Sequence, residues 1–376
     1  MAKAHKARIT VELQLVSPLH ITAIESGRYY PDIERVVVGA TDGGWPCTLT
    51  RKMTVVRRDP VVNENGTFRL ASVPVIPSAT LCGKLRNAAS RLIEDGFVAR
   101  NETERPEAFL TMRSGAATAT FKRDQQGVKL AIAGANDPFF GLFGGTTFGI
   151  SSNLITHEGY AYTVESAPFL PFAFSAGASQ PTAYETLGVV PIIRKNQLHA
   201  WDEIEHIRSL VTDEALIAYH SDQLTMTAAS KAKKAAGESG KKEDLRTVAS
   251  VEIVRPGTWF GLTFDVTYRN DEQLGLFLLA LRSVVSEGQV GGGKAKGRGQ
   301  FVVASCKVST NEEGALNAAD VFLPRLENGA TEINTHDAIV GRVVASAESW
   351  LENITAAHYA TLTADDANIR VELKAA

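Results

Sequence analysis

VPVIPSATLCGKLRNAASRLIEDG, residues 73–96, is a short apolar strand that runs directly into a helix. Leu81, Leu85, Ala88, Ala89 and Leu92 recur at three- and four-residue spacing, the stripe of a helix that buries one face. Ser78 or Thr80 can cap its start, and Gly96 can end it. Upstream, ARITVELQLV (Ala7–Val16) alternates through Ile9, Val11, Leu13 and Leu15, the two-residue period of a half-buried strand that Ser17-Pro18 stops. Downstream, Val251–Val254 and Phe260–Tyr268 read as strands flanking a Pro256-Gly257 turn. Asp271–Glu287 is an amphipathic helix with Leu274, Phe277, Leu278, Leu281 and Val285 on one side, and Gln300–Val308 is a last strand. Shorter strand signals stand at Val36–Gly39 and Tyr160–Val164, and Trp201–Tyr219 is polar and helix-prone. Strand, helix, insertion, strand pair, helix, strand is the order of an α+β, ferredoxin-like (RRM-like) βαββαβ core.

The composition admits such a core. The chain has 376 residues, 44% of them apolar and 22% charged, enough for two or three units or one core with large insertions. Charge excess, a strict glycine period and heptads are all missing, which excludes disordered, collagenous and coiled-coil classes. The apolar run Leu274–Leu281 is far shorter than the roughly 20 residues of a membrane helix. MAKAHKAR is basic but leads into a strand, not into a signal core. Cys47, Cys82 and Cys306 are far apart without CxxC or Cys/His spacing, so the expectation is a reducing cytoplasm with no disulfide framework and no zinc. Net charge is −3, yet residues 301–376 hold 5 Lys+Arg against 11 Asp+Glu while residues 1–300 hold 34 against 31. That asymmetry fits a basic working surface with an acidic end, and equally fits chance solubility charge.

Two segments carry chemistry. VGGGKAKGRGQF (Val290–Phe301) has five glycines in nine residues, with Lys294, Lys296 and Arg298 alternating among them. Gly291, Gly292 and Gly293 let the backbone approach a ligand and aim amides at an anion. The spacing is neither a Walker A nor a Rossmann turn, since it opens a strand. Phosphate contact is the favoured reading over a solvated basic turn, because glycine and cation coincide. The second segment is IPSATLCGKLR (Ile76–Arg86), where a helix N-terminus, the Ser78 and Thr80 hydroxyls, and Lys84 and Arg86 suit phosphate. By itself it reads more readily as a capped helix with two surface cations. KAKKAAGESGKKEDLR (Lys231–Arg246) is lysine-rich and glycine-punctuated, the pattern of a projecting loop.

SPLHI (Ser17–Ile21), IPSATLCGKLR, DPFFGLFGG (Asp137–Gly145), EIVRPGTWFGLTF (Glu252–Phe264) and VGGGKAKGRGQF stand in one order over residues 17–301. Together they resemble the RAMP superfamily of CRISPR proteins, and the single core resembles its backbone (Cas-seven) subunit, most of all the type IV version. Two positions depart from the family pattern: Ala79 replaces a usual glycine or serine, and Cys82 a usual lysine. The resemblance implies a ferredoxin-like palm over residues 1–310, with insertions at about 22–72 and 97–160 and a thumb at about 221–250. An acidic extension, residues 311–376, would pack on or beside it. It further implies that copies stack along a guide RNA (crRNA) and present it to a target nucleic acid. Large, tail and crRNA-processing subunits would be partners, with no cofactor and no membrane. His20, Ser78, Thr80, Lys84, Arg86, Gly291, Gly292, Gly293, Lys294, Lys296 and Arg298 would line the RNA. In the thumb, Lys231, Lys233, Lys234, Lys241 and Lys242 would meet phosphates, and Leu224 or Met226 would wedge at a displaced base.

Some type III backbone subunits cut target RNA with an aspartate in the loop after the first strand. Asp32 is the nearest candidate, beside Glu25 and Glu34, but the GG turn of that motif does not precede it. His20 invites comparison with the histidine of processing endonucleases, without a Tyr or Lys that the sequence places beside it. The eight histidines form no HxxxH or His/Asp cluster, and GxSxG is absent. The expectation is a non-enzymatic RNA-binding subunit, the alternative a metal-dependent endoribonuclease using Asp32.

Overall fold

β1 (His5–Leu15) buries Ala7, Ile9, Val11, Leu13 and Leu15 on one face, as its two-residue period requires. The fold is that of a computed structural model describing residues 4–40, 43–57, 69–103, 106–114, 132–145, 151–170, 180–195, 246–292, 294–312, 315–323 and 331–362. After β1 come β2 (Thr22–Tyr30), β3 (Arg35–Val38), β4 (Trp45–Thr50), β5 (Lys52–Arg57) and β6 (Arg69–Ile76). β7 (Leu154–Thr156), β8 (Gly159–Ala161) and β9 (Leu187–Lys195) lie in the middle of the chain. β10 (Arg246–Val254), β11 (Trp259–Tyr268), β12 (Phe301–Glu312) and β13 (Ala315–Asp320) complete the strands. The helices are α1 (Ser78–Ala99), α2 (Pro106–Ser114), α3 (Pro138–Phe143), α4 (Asp271–Glu287), α5 (Ala338–Asn353) and α6 (Ala356–Leu362).

The chain divides into two compact units. The larger holds residues 1–22, 50–188 and 254–376. Its sheet runs β13-β12-β1-β11-β8-β6-β5, with β7 also on β11. The inner four, β12-β1-β11-β8, are the 4-1-3-2 order of an antiparallel ferredoxin-like sheet. β1 is central, pairing Ile9 with Phe264 on one side and with Val308 on the other. A register shift at Glu12/Leu13 marks a bulge.

The strand beside β11 in this core is β8, not the Val251–Val254 strand that the sequence pairs with it across Pro256-Gly257. That segment ends β10, which runs parallel to β4 through Ser250↔Cys47. A tight turn in the sequence therefore joins strands of two different sheets, and only long-range pairing reveals it. The smaller unit, residues 23–49 and 189–253, is built on a sheet of order β3-β2-β4-β10-β9. Of the expected insertion at 22–72, residues 23–49 belong to this unit, while β5 and β6 extend the larger sheet.

α1 and α4 cover one face of the larger sheet, burying Leu81, Leu85, Ala89, Ile93 and Phe97 with Leu274, Phe277, Leu278 and Leu281. α4 begins at Asn270, whose side chain accepts the Gln273 amide, and ends at Gly288 in the left-handed conformation. α1 differs from expectation at both ends. Pro77 takes the N-cap position without a side-chain bond, and the helix runs through Gly96 to Ala99 because Phe97, one turn after Ile93, is buried on the same face.

α5 packs across α4 at Gly275, where any Cβ would overlap the Val343 carbonyl. Arg100, just past α1, donates to the carbonyls of Leu351, Glu352 and Ile354, while Glu102 accepts the Ala356 amide at 2.7 Å. These four bonds satisfy the end of α5 and the start of α6. Among the described residues, no helix is long and apolar enough to cross a membrane.

Candidate nucleic-acid interface

The glycine-rich loop is seated on the segment that follows β1. The Gly292 amide donates to the His20 carbonyl at 2.9 Å, and the Gly299 amide to the Pro18 carbonyl at 2.8 Å. The Gln300 amide donates to the Ser17 hydroxyl at 2.8 Å, and the Val290 amide closes the base on the Gly299 carbonyl at 2.8 Å. Two glycines are dictated by this seat. Gly291 has φ +83°, and a Cβ there would lie 2.7 Å from Leu19 Cδ1 and 2.8 Å from the His20 oxygen. Gly299 has φ +74°, and its Cβ would overlap the Val290 carbonyl. The loop's crest, Lys294–Lys296, is a single 3-10 turn that leaves Lys296 exposed, and Arg298 is half-buried. Gly293 and the Lys294 side chain lie outside the described residues.

Lys84 reaches this loop from α1. Its ammonium bonds Glu287 at 2.9 Å and the Gln289 carbonyl, tying the helix to the foot of the loop. Gln289 in turn donates to the Arg298 carbonyl at 2.8 Å. Lys84 is thus engaged as an anchor. His20 brings its main chain to the loop, while its buried ring stands 3.2 Å from the Thr22 hydroxyl.

The start of α1 is arranged differently from a bare anion site. The Glu158 carboxylate accepts the Ser78 amide at 3.1 Å and the Ser78 hydroxyl at 3.2 Å. A carboxylate at a helix N-terminus is favourable because it meets unsatisfied amides and the positive end of the dipole. Thr80, half-buried, lies two residues further along that turn, and its amide donates back to the Pro77 carbonyl at 2.9 Å. The HEGY context of Glu158 gives no signal from which the sequence would reveal this.

Arg86 points into the protein. Its Nε donates to the Met112 carbonyl at 2.8 Å, and Nη2 to the Gly144 carbonyl at 3.0 Å. The guanidinium lies 5.7 Å from the centre of the Phe139 ring. Burial pushes its pKa down from the usual arginine value. Arg86 therefore fastens α2 and the DPFFGLFGG segment to α1. Arg86→Ala strands two carbonyls inside the fold and should cost about 2–4 kcal/mol, read as a lower urea midpoint. An unchanged midpoint would show that neighbouring groups satisfy those carbonyls.

Leu224, Met226, Lys231, Lys233, Lys234, Lys241 and Lys242 lie outside the described residues, as does the helix expected over Trp201–Tyr219. Asp32 is exposed on the turn between β2 and β3, in the smaller unit. Among the described residues, no group of three His, Cys, Asp or Glu side chains is placed to hold a metal.

The RAMP superfamily matches residues 12–302 of the sequence, more than three quarters of the chain. Among curated proteins none matches. Of solved structures, a chain titled "Type IV-B CRISPR Complex" is similar at 14% identity, covering 85% of this chain and 95% of its own, with a TM-score of 0.42.

Proposed function

The chain belongs to the RAMP superfamily, and from that premise we propose that it is a guide-RNA-binding backbone subunit of a CRISPR effector complex, of the type IV kind its sequence resembles. It oligomerises as a helical filament along the crRNA and presents that RNA for target pairing, without cutting it. The observation that carries this reading is the glycine-rich loop, held by Pro18 and His20 at its base and raising Lys296 into solvent. Cations carried on a loop whose glycines let it sit close on the main chain suit a polyanion recognised by its phosphates, with no base-specific contact required. Lys294, Lys296 and Arg298 are its RNA-facing residues, and Gly291 and Gly292 hold the loop on its seat. Lys84 and Arg86 serve it from below, one steadying the loop and the other the helix. Large, tail and crRNA-processing subunits are the partners of the assembly.

The test is the native mass of the assembly purified with its guide. A multimer that absorbs strongly at 260 nm and releases one RNA of defined length is expected. An assembly of the same size without RNA overturns the reading in favour of a plain scaffold. Complementary RNA incubated with magnesium should stay whole, and regularly spaced cuts lost in Asp32→Ala would replace it with a target-RNA endonuclease.

A further inference from the structure

Between β8 and β9, residues 162–170 and 180–186 are joined by hydrogen bonds of buried polar groups and carry two exposed aromatic rings. The Glu165 carboxylate accepts the Ala183 amide at 2.9 Å, and the Val164 amide donates to the Pro181 carbonyl at 3.0 Å. Thr163 and Ser166 are buried and bonded to each other. The turn that carries Tyr184 is fixed by Thr182, whose amide and hydroxyl both donate to Glu185, and by the Thr186 hydroxyl on the Ala183 carbonyl at 2.6 Å. Those donors also hold the Glu185 carboxyl below the usual carboxylate range. On this frame Tyr184 is 67% exposed and Phe169 47% exposed. Scattered exposed rings need no explanation, but two on one internally bonded loop are presented at little conformational cost.

The hydrogen bonds of these segments place them beside a cation. The first is tied to β11 by the Tyr162 amide on the Trp259 carbonyl at 2.7 Å. The second is tied to exposed Arg255, whose amide donates to the Thr186 carbonyl at 2.8 Å and whose Nε donates to the Leu187 carbonyl at 2.6 Å. Next to Arg255, Val254 and Leu19 exchange amide bonds at 2.7 and 3.0 Å. The residues flanking Leu19, Pro18 and His20, seat the glycine-rich loop. The segment that carries Tyr184, Arg255 and the seat of the Lys296 loop are therefore linked by successive main-chain hydrogen bonds.

We propose that residues 162–170 and 180–186 form a base-stacking platform for single-stranded RNA, with Tyr184 and Phe169 as its stacking faces and Arg255 as the adjoining cation. This deepens the RNA-binding reading above and rests on it. Aromatic faces alternating with cations suit a single strand, since every base offers a π-face and every linkage a phosphate. A protein partner would want a continuous apolar surface, and Arg255 interrupts this one.

The experiment measures binding of a labelled, unstructured uridine-rich RNA by fluorescence anisotropy over a salt series. The double variant Tyr184→Ala/Phe169→Ala should bind about 5- to 50-fold more weakly, with the slope of log K against log salt unchanged, because no phosphate contact is lost. Tyr184→Trp should retain or tighten binding. Both side chains are exposed, so the melting temperature serves as a control and should not move. Wild-type affinity in the double variant overturns the platform while leaving the RNA-binding subunit in place. Unchanged affinity with a smaller assembly on gel filtration also overturns it, and makes a second copy of the chain the occupant. A wild-type protein that binds no RNA sinks both readings.

Discussion

A chain ended at residue 336 should be recovered only as insoluble or non-cooperatively unfolding protein. The acidic stretch that this removes looks dispensable by its charge, yet its helices are buried parts of the larger unit. Val340, Val343, Val344, Ala347, Ile354, Ala356, Tyr359 and Leu362 all belong to its continuous core. Tyr359 packs edge-on against Phe97 and Phe140, with ring centres 6.3 and 5.7 Å apart. Burying side chains of this size contributes about 1.5–3 kcal/mol each, so losing the set removes on the order of 10 kcal/mol. That matches the whole stability of an ordinary domain, about 5–15 kcal/mol. Arg100 would lose the carbonyls of Leu351, Glu352 and Ile354 and Glu102 the Ala356 amide at the same time, while the two would keep their bond to each other. Soluble yield and a far-ultraviolet melt decide the matter. A truncated chain that melts as cooperatively as the full one would show the extension to be an appendage.

The second large effect is expected on RNA. Replacing Lys294, Lys296 and Arg298 together with alanine should lower the salt slope by about 2, at roughly 0.7 per phosphate contact on a single strand. Near 0.1 M salt the same arithmetic gives about a hundredfold loss of affinity. The variant should fold normally, because Lys296 is exposed and the loop's seat is made by main-chain groups of Gly292, Gly299 and Val290. A slope identical to that of the unaltered protein would remove the loop from the interface.

The inner architecture was legible because its period was strong. Alternation from Ile9 to Leu15 and the stripe of Leu274, Phe277, Leu278 and Leu281 each name the face that the structure buries. What stayed illegible was set by distant partners. Val251–Val254 reads as the natural companion of Phe260–Tyr268, but β10 pairs with β4 from the other end of the chain. The alternation at Tyr160–Val164 marks a strand that overlaps β8, but nothing local makes it the core strand beside β11. Cations misled for a related reason. IPSATLCGKLR looks like a charged surface, yet whether a cation faces water depends on which carbonyls fold back onto it. For Arg86 those belong to Met112 and Gly144, and for Lys84 to Gln289. Glu158 could not be linked with Ser78 across eighty positions without the sheet between them.

The crossing at Gly275 has a genetic consequence. With the Val343 carbonyl where a methyl group would go, every other amino acid is excluded there, so a saturation library should report that site as barren although it performs no chemistry. Lys296 should show the opposite profile, indifferent in a screen for expression and unforgiving in one for the RNA binding proposed above. Intolerance to change in this protein will thus point first at its skeleton, and only a paired library, scored once for abundance and once for RNA capture, will separate scaffold from grip.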